Sequence, residues 1–295
     1  MHTEFSAPKL LKRRFEPLEH AWNARDTQLY ALGIGLGADP LDRAQLQFVY
    51  EGVDGLLLKA FPTFANVLSY PGFWAREPDT GIDWRNVVHA EQQIVLHAPL
   101  PSKGRVIGQT QVSALWDKGI GKGALMQQKR EIREASTGLL LATVIQLSLL
   151  RGNGGFGAGS SEGAPPSPHQ MPVRKPDTVC ELPTLVQAAL LYRLSGDLNP
   201  LHADPAVANA AGFERPILHG MATMGVAAHA VLRTVLNYEE ARFAGMRVRF
   251  TAPALPGDTL RTEMWVDGTV ISLRTMALER NVVVLDNARV DMTSK

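Results

Sequence analysis

Gly220-Met-Ala-Thr-Met-Gly-Val-Ala-Ala-His-Ala-Val-Leu232 is apolar on nearly every side. A helix that is hydrophobic all round is normally buried, and the Gly and Ala positions let surrounding backbone approach closely. The segments that follow, around 245–253, 258–266, 269–278 and 281–291, include alternating apolar and polar positions, the period of half-buried strands. A long buried helix followed by antiparallel strands predicts an α+β layer arrangement, the sheet wrapped around the helix.

The first half of the chain reads as a second copy. Residues 95–131 and 249–279 share an Ala-Pro turn (Ala98-Pro99, Ala252-Pro253) and a Gly-marked turn, then strand-like segments that carry Trp116-Asp117 and Trp265-Val266-Asp267. Leu29-Tyr30 echoes Leu191-Tyr192. The period is far longer than a solenoid repeat, which points to a domain duplication. Between the copies runs Gly152-Asn-Gly-Gly-Phe-Gly-Ala-Gly-Ser-Ser-Glu-Gly-Ala-Pro-Pro-Ser-Pro, a flexible and then Pro-stiffened connector. The expected division is a first repeat over 1–151, a linker over 152–176 and a second repeat over 177–295. Each repeat is expected to carry its own central apolar helix, and the two could share a continuous sheet.

Composition excludes several classes. The 295 residues are 45% hydrophobic, ordinary for a chain with a real core. A formal net charge of +1 provides no global field for nucleic acid or an anionic membrane. One cysteine, Cys180, rules out an internal disulfide and a Cys-rich metal site, and reads as a small apolar filler. No stretch approaches the ~20 apolar residues of a spanning helix. The N-terminus lacks an apolar core of signal-peptide length, and the final Thr-Ser-Lys is not the peroxisomal tripeptide, so a cytoplasmic protein is expected.

The chemistry concentrates in Tyr192-Arg-Leu-Ser-Gly-Asp197-Leu-Asn199-Pro-Leu-His202, which sets a carboxylate, an amide and an imidazole within six residues. Gly196 permits unusual dihedrals and Pro200 disfavours helix at Asn199, so the segment is a loop. The next helix has its N-cap at Asp204, Pro205 in its first position and Gly212 at its end. Singly, Asp197 reads as a turn residue and His202 as a satisfied polar side chain. Together, beside the helix that opens at Gly220, they read as an acid–base pair. The first N–H groups of that helix lack internal partners and sit at its positive end, where a carbonyl oxygen gaining charge would be stabilised. His219, adjacent, is assigned an orienting or packing role. One Asp, one Asn and one His lack the further ligands of a zinc site, so no metal is expected.

These residues resemble the MaoC-like, hydratase 2 family of hotdog-fold enzymes. Tyr192-x-x-Ser-Gly-Asp-x-Asn-Pro-Leu-His202 is similar to that family's signature. Tyr30-Ala-Leu-Gly-Ile-Gly, Phe48-Val-Tyr-Glu-Gly, Pro62-Thr-Phe, Val88-His-Ala-Glu-Gln and Gly154-Gly-Phe-Gly extend the resemblance to the hydratase part of peroxisomal multifunctional enzyme type 2. The resemblance implies a double hotdog and reversible syn hydration of a trans-2-enoyl-CoA to an (R)-3-hydroxyacyl-CoA. It implies that Asp197 and His202 activate water and handle the α-proton, that Asn199 completes their hydrogen bonding, and that the Gly220 N–H binds the thioester oxygen. No cofactor is implied beyond the CoA carried by the substrate. The acyl-CoA thioester is the implied partner, and the implied assembly is a homodimer.

The first half departs from the signature, with Gly33-Ile-Gly-Leu-Gly-Ala-Asp39-Pro where the second has its catalytic run. One active site per chain is therefore expected, with room for a long or bulky acyl tail in the first repeat. The glycine run lacks the strand and spacing of a dinucleotide loop. Gly154, Gly155, Phe156 and Gly157 are candidates for contact with coenzyme A. Glu51 and Glu91 read as solvated or structural carboxylates. Lys129, Arg130 and Arg133 read as strand or edge charges without a role. The rival readings are a dehydratase acting on carrier-bound 3-hydroxyacyl groups, a hotdog thioesterase, and a non-catalytic acyl-CoA-binding protein.

Overall fold

The computed structural model describes residues 4–52, 57–157 and 160–294. Its centre is one antiparallel ten-stranded sheet. The first half contributes β1 (Leu18–Trp22), β2 (Val87–Leu96), β3 (Gly104–Asp117), β4 (Ala124–Glu134) and β5 (Leu140–Leu150). The second contributes β6 (Thr178–Pro183), β7 (Phe243–Phe250), β8 (Thr259–Asp267), β9 (Val270–Ala277) and β10 (Val282–Met292). The spatial order is β1-β3-β4-β5-β2-β7-β10-β9-β8-β6. Read from either edge inward, that order is the same in both halves, which is the geometric signature of the duplication.

The halves join where β2 pairs with β7, Gln93 opposite Arg247 and Ile94 opposite Met246. Glu91 lies at this seam, buried, with one oxygen bonded by both Nε and Nη2 of Arg247. It is a structural carboxylate, as its sequence context predicts. Glu51 is exposed and meets the Gln28 amide.

Six short or long helices complete the chain: α1 (Ala7–Leu11), α2 (Ala24–Gly33), α3 (Arg43–Val49), α4 (Ala188–Tyr192), α5 (Pro205–Ala210) and α6 (Gly220–Thr234). Helix α6 is the apolar segment of the sequence, buried from Met221 through Leu232 against the sheet. Its glycines permit the expected close approach: a Cβ on Gly225 would lie 2.6 Å from Ile34 Cγ2 of the first half. In the Gly33–Gly37 run, Gly35 and Gly37 adopt left-handed φ values of +88° and +78°, and Gly33 packs against the Tyr192 backbone. The two echoing tyrosines meet at this junction, both fully buried, with ring centroids 5.7 Å apart.

The first half differs from expectation in its centre. Among its described residues no long apolar helix occupies the place of α6. A buried 3-10 turn over Pro62–Asn66 fills it instead. Pro62 fixes the start of the turn, and Thr63 takes a hydrogen bond of 2.8 Å from the Tyr30 hydroxyl. Arg130, Val144 and Gln146 of the first-half sheet line a small recess together with Met221 of α6.

Candidate active site

The loop before α6 is shaped by its own sequence. Helix α4 ends at Tyr192, a 3-10 turn covers Arg193–Ser195, and Gly196 reverses the chain at φ +119°. That left-handed conformation favours glycine. Asn199 Oδ1 accepts the Leu201 N–H at 3.1 Å and opens a 3-10 turn over Pro200–His202. Asp204 caps α5 by accepting the Ala206 N–H at 2.8 Å, with Pro205 first in the helix and Gly212 just beyond its end. His202 is held between two capped turns and is buried, 8% exposed.

Three side chains converge here. Donor atoms of Asp197, His202 and His219 lie within 4.8 Å of one another. The His202 and His219 rings stack, centroids 3.7 Å apart and planes 28° from parallel. Each ring is fixed by a main-chain carbonyl, which only accepts. Nδ1–H of His202 therefore donates to Ile217 O at 2.9 Å, leaving Nε2 with its lone pair. Nε2–H of His219 donates to Asp197 O at 3.1 Å, leaving Nδ1 without a partner. Burial lowers the pKa of His202, opposed by the bond to Ile217 and by the Asp197 charge. His219 is held down to about 3, by burial first and by its stacked neighbour second. Both imidazoles are thus neutral near pH 7. Asp197 is half-buried, and its Oδ1 accepts the Asn199 N–H at 3.2 Å.

Gly220 is the first residue of α6, and no side chain caps that terminus. Its Cα faces the Phe250 ring, which a Cβ would meet at 3.0 Å. Phe250 in turn packs edge-on against His89, ring centroids 4.8 Å apart. Tyr192 lies on the other side, its ring 4.9 Å from that of His219 and its buried hydroxyl without a partner. The structure therefore brings Asp197 and His202 together with His219, which directly precedes Gly220, and packs Tyr192 against the same ring. The run Pro216-Ile-Leu-His-Gly220 was the available signal for His219, and Tyr192 was visible as the first residue of the signature run and as a repeat echo.

Two of the expected site segments have local partners of their own. Asn199 Oδ1 caps its own turn, and the hydrogen bond it gives Asp197 is from its main-chain N–H. Gly154–Gly157 is organised by the Asp117 carboxylate, which accepts Gly155 N–H at 2.8 Å and Gly157 N–H at 2.6 Å. Phe156 packs on Phe5, and a Cβ on Gly154 would strike Gly119 O at 2.5 Å. Amides already bonded to an anion are poorly placed for a phosphate, so this stretch is a clasp on the β3–β4 hairpin. The sequence shows neither fact, because both depend on which acceptor lies nearest in space.

Residues 20–152 match the MFE-2 hydratase 2 N-terminal domain, and residues 168–288 match the MaoC like domain. Enoyl-CoA hydratase 2, peroxisomal, of Arabidopsis thaliana is 38% identical over 300 residues, covering 96% of this chain and 94% of the relative. The chain belongs to the MaoC-like, hydratase 2 family. Another similar member is enoyl-CoA hydratase ChsH3 of Mycobacterium tuberculosis, 38% identical over 93% of this chain and 94% of its own. Among solved structures, a MaoC-like dehydratase from Phytophthora capsici superposes on this hydratase 2 member with a TM-score of 0.86 at 32% identity, covering 98% and 99% of the two chains. A Mycobacterium tuberculosis protein described as a double hotdog shares the fold at 16% identity, with a TM-score of 0.55 over 94% and 96% of the chains. No described helix is long and apolar enough to cross a membrane.

Proposed function

We propose that this protein hydrates trans-2-enoyl-CoA thioesters reversibly to (R)-3-hydroxyacyl-CoA. The observation that carries the reading is the placement of a neutral imidazole with a free Nε2, and a carboxylate, beside the uncapped amino end of α6. Asp197 and His202 position one water molecule against C3. The water oxygen bonds to C3, its proton passes to the dyad, and a proton from the dyad is delivered to C2 on the same face, so no proton is gained or lost overall. As C3 is attacked, charge moves onto the thioester oxygen. The Gly220 N–H receives it, a donor of the kind whose removal typically costs on the order of 10²–10³ in rate. His219 holds the Asp197 backbone in register and stays neutral, so it adds no charge that would compete with proton transfer.

The same site run backward is a dehydratase, and direction depends on which thioester is supplied. The working form in this reading is a homodimer, which sedimentation of the purified protein checks. The chemistry is tested by incubating the protein with a medium-chain trans-2-enoyl-CoA and resolving the product by chirality. The (R)-3-hydroxyacyl-CoA is expected from the wild type and not from Asp197→Asn. Free coenzyme A as the product would indicate a thioesterase, and tight binding without turnover would indicate an acyl-CoA-binding protein.

A further inference from the structure

Among the described residues Arg130 is the one buried lysine or arginine side chain, at 2% exposure. Read from sequence it was a strand or edge charge. The alternation of β4 instead puts it on the inner face, between Gln128 and Ile132. Lys129 and Arg133, on the outer face, pair with Glu131.

A buried cation is costly unless a countercharge and hydrogen bonds accompany it. The two buried carboxylates among the described residues obey this rule: Glu91 has Arg247, and Asp258 has Arg280 at 2.6 Å. Arg130 has no carboxylate at ion-pair distance among the described residues. The Tyr70 ring lies 5.8 Å from its guanidinium carbon, and Nη2 donates to Asn66 O at 2.7 Å. Nε has no partner. Burial pushes the guanidinium down to about 10, which still leaves it charged at neutral pH.

Two of the nearby amide acceptors are already engaged. Gln128 Oε1 takes the Trp74 indole N–H at 2.6 Å, and Asn66 Oδ1 takes the Gln92 amide at 2.8 Å. The Arg130 guanidinium, with its unpartnered Nε and no countercharge, thus faces a small recess lined by Tyr70, Asn66, Gln128, Gln146 and Met221. Met221 follows Gly220 in α6. Through it the recess adjoins the amino end of that helix, under flexible methionine that adapts readily to an occupant. A group that only accepts hydrogen bonds and carries negative charge meets both deficits at once.

We propose that Arg130 is a specificity-determining residue that pairs with a carboxylate at the far end of the acyl chain, so that ω-carboxyl acyl-CoAs are the favoured class of substrate. This rests on the hydratase reading for the orientation of the chain, with the thioester at Gly220 and the tail running past Met221. A guanidinium is suited to the task because its planar fork matches a carboxylate in two bonds.

The test measures calorimetric binding of saturated acyl-CoAs to the full-length protein, comparing methyl-ended with ω-carboxyl chains over a series of lengths. Because Arg130 is fixed in the sheet, the carboxylate should tighten binding at one length and not at all lengths. At that length a gain of roughly 10- to 100-fold is expected for a charge-assisted hydrogen bond made in a buried site. Arg130→Gln should abolish the gain while methyl-ended chains still bind, and Arg130→Lys should restore part of it. The wild-type length series decides the question even if a variant fails to fold. Absence of a favoured length, or a preference undiminished in folded Arg130→Gln, would overturn the proposal. Hydration of methyl-ended trans-2-enoyl-CoA is measured alongside. Its failure with the carboxylate preference intact would remove the hydratase reading and leave Arg130 an anion receptor. Its success without the preference would remove only the role of Arg130.

Discussion

His229 shows how the core of this fold handles charge. It lies on α6 at 1% exposure, with Nε2 3.0 Å from the Tyr238 hydroxyl, and burial holds its pKa down to about 4 against an ordinary 6.5. Above pH 6.5 both folded and unfolded chains carry it neutral, and its pH-dependent contribution is fully present. Below 6.5 the unfolded chain takes up a proton that the folded chain refuses, so stability is lost as pH falls toward 4. At pH 5 this amounts to about 2 kcal/mol for one side chain, taking each pH unit of the gap as about 1.4 kcal/mol. His219, also 1% exposed and held at about 3, acts in the same direction. The perturbation is His229→Gln, which removes the titration and keeps an amide within reach of Tyr238. Urea denaturation of wild type and variant at pH 7.5 and pH 5.0 provides the measurement. Whatever its stability at pH 7.5, the variant should lose about 2 kcal/mol less than the wild type on going to pH 5.0. Equal losses would mean that the α6 core admits the charged ring, and would refute the reasoning.

Three further outcomes are expected. Asp197→Asn should lower kcat by roughly 10²–10⁴ with little change in acyl-CoA affinity, measured by hydration kinetics and calorimetry, because a proton relay is removed and the contact surface kept. The activity of the wild type should persist below pH 6.5 before its acid limb falls, since burial keeps His202 neutral past the ordinary histidine value; a pH–rate profile whose limb lies above 6.5 would contradict this. Gly225→Ala should destabilise by about 1–3 kcal/mol through overpacking against Ile34 Cγ2, and Ile34→Ala should relieve that cost in a double-mutant cycle.

The second half of the chain was the more legible. Its strand segments at 245–253, 258–266, 269–278 and 281–291 lie close to the observed β7, β8, β9 and β10, because one buried helix requires a sheet whose faces alternate in polarity. The turn at Gly196, the caps at Asn199 and Asp204 and the helix opening at Gly220 were also readable, since each is decided within a few residues by local chemistry. The first half was harder. Its central element is the turn over Pro62–Asn66, and what stabilises it, the Tyr30 hydroxyl on Thr63 and the Arg130 guanidinium on Asn66, comes from residues 33 and 64 positions away. No local period encodes such contacts.

Arg130 and His219 mark the boundary between what a sequence states and what only packing reveals. The alternation of β4 was present in the sequence: Met126, Gln128, Arg130 and Ile132 share one face, and an arginine between a buried glutamine and a buried isoleucine cannot be an edge charge. The step that sequence does not supply is the count of acceptors around it, which depends on Trp74 and Gln92 having reached Gln128 and Asn66 first. His219 follows the same logic. Its position before Gly220 was visible, but its neutrality is set by burial and by the stacked His202 ring, against the opposing bond to the Asp197 carbonyl, 22 residues earlier. In both cases the chemistry lies in which hydrogen-bond partners are already taken. On the proposed reading, the two rings held neutral at one end of α6 and the one cation left unpaired beside Met221 are complementary parts of a single substrate path: one polar enough to move a proton, the other charged enough to choose a tail.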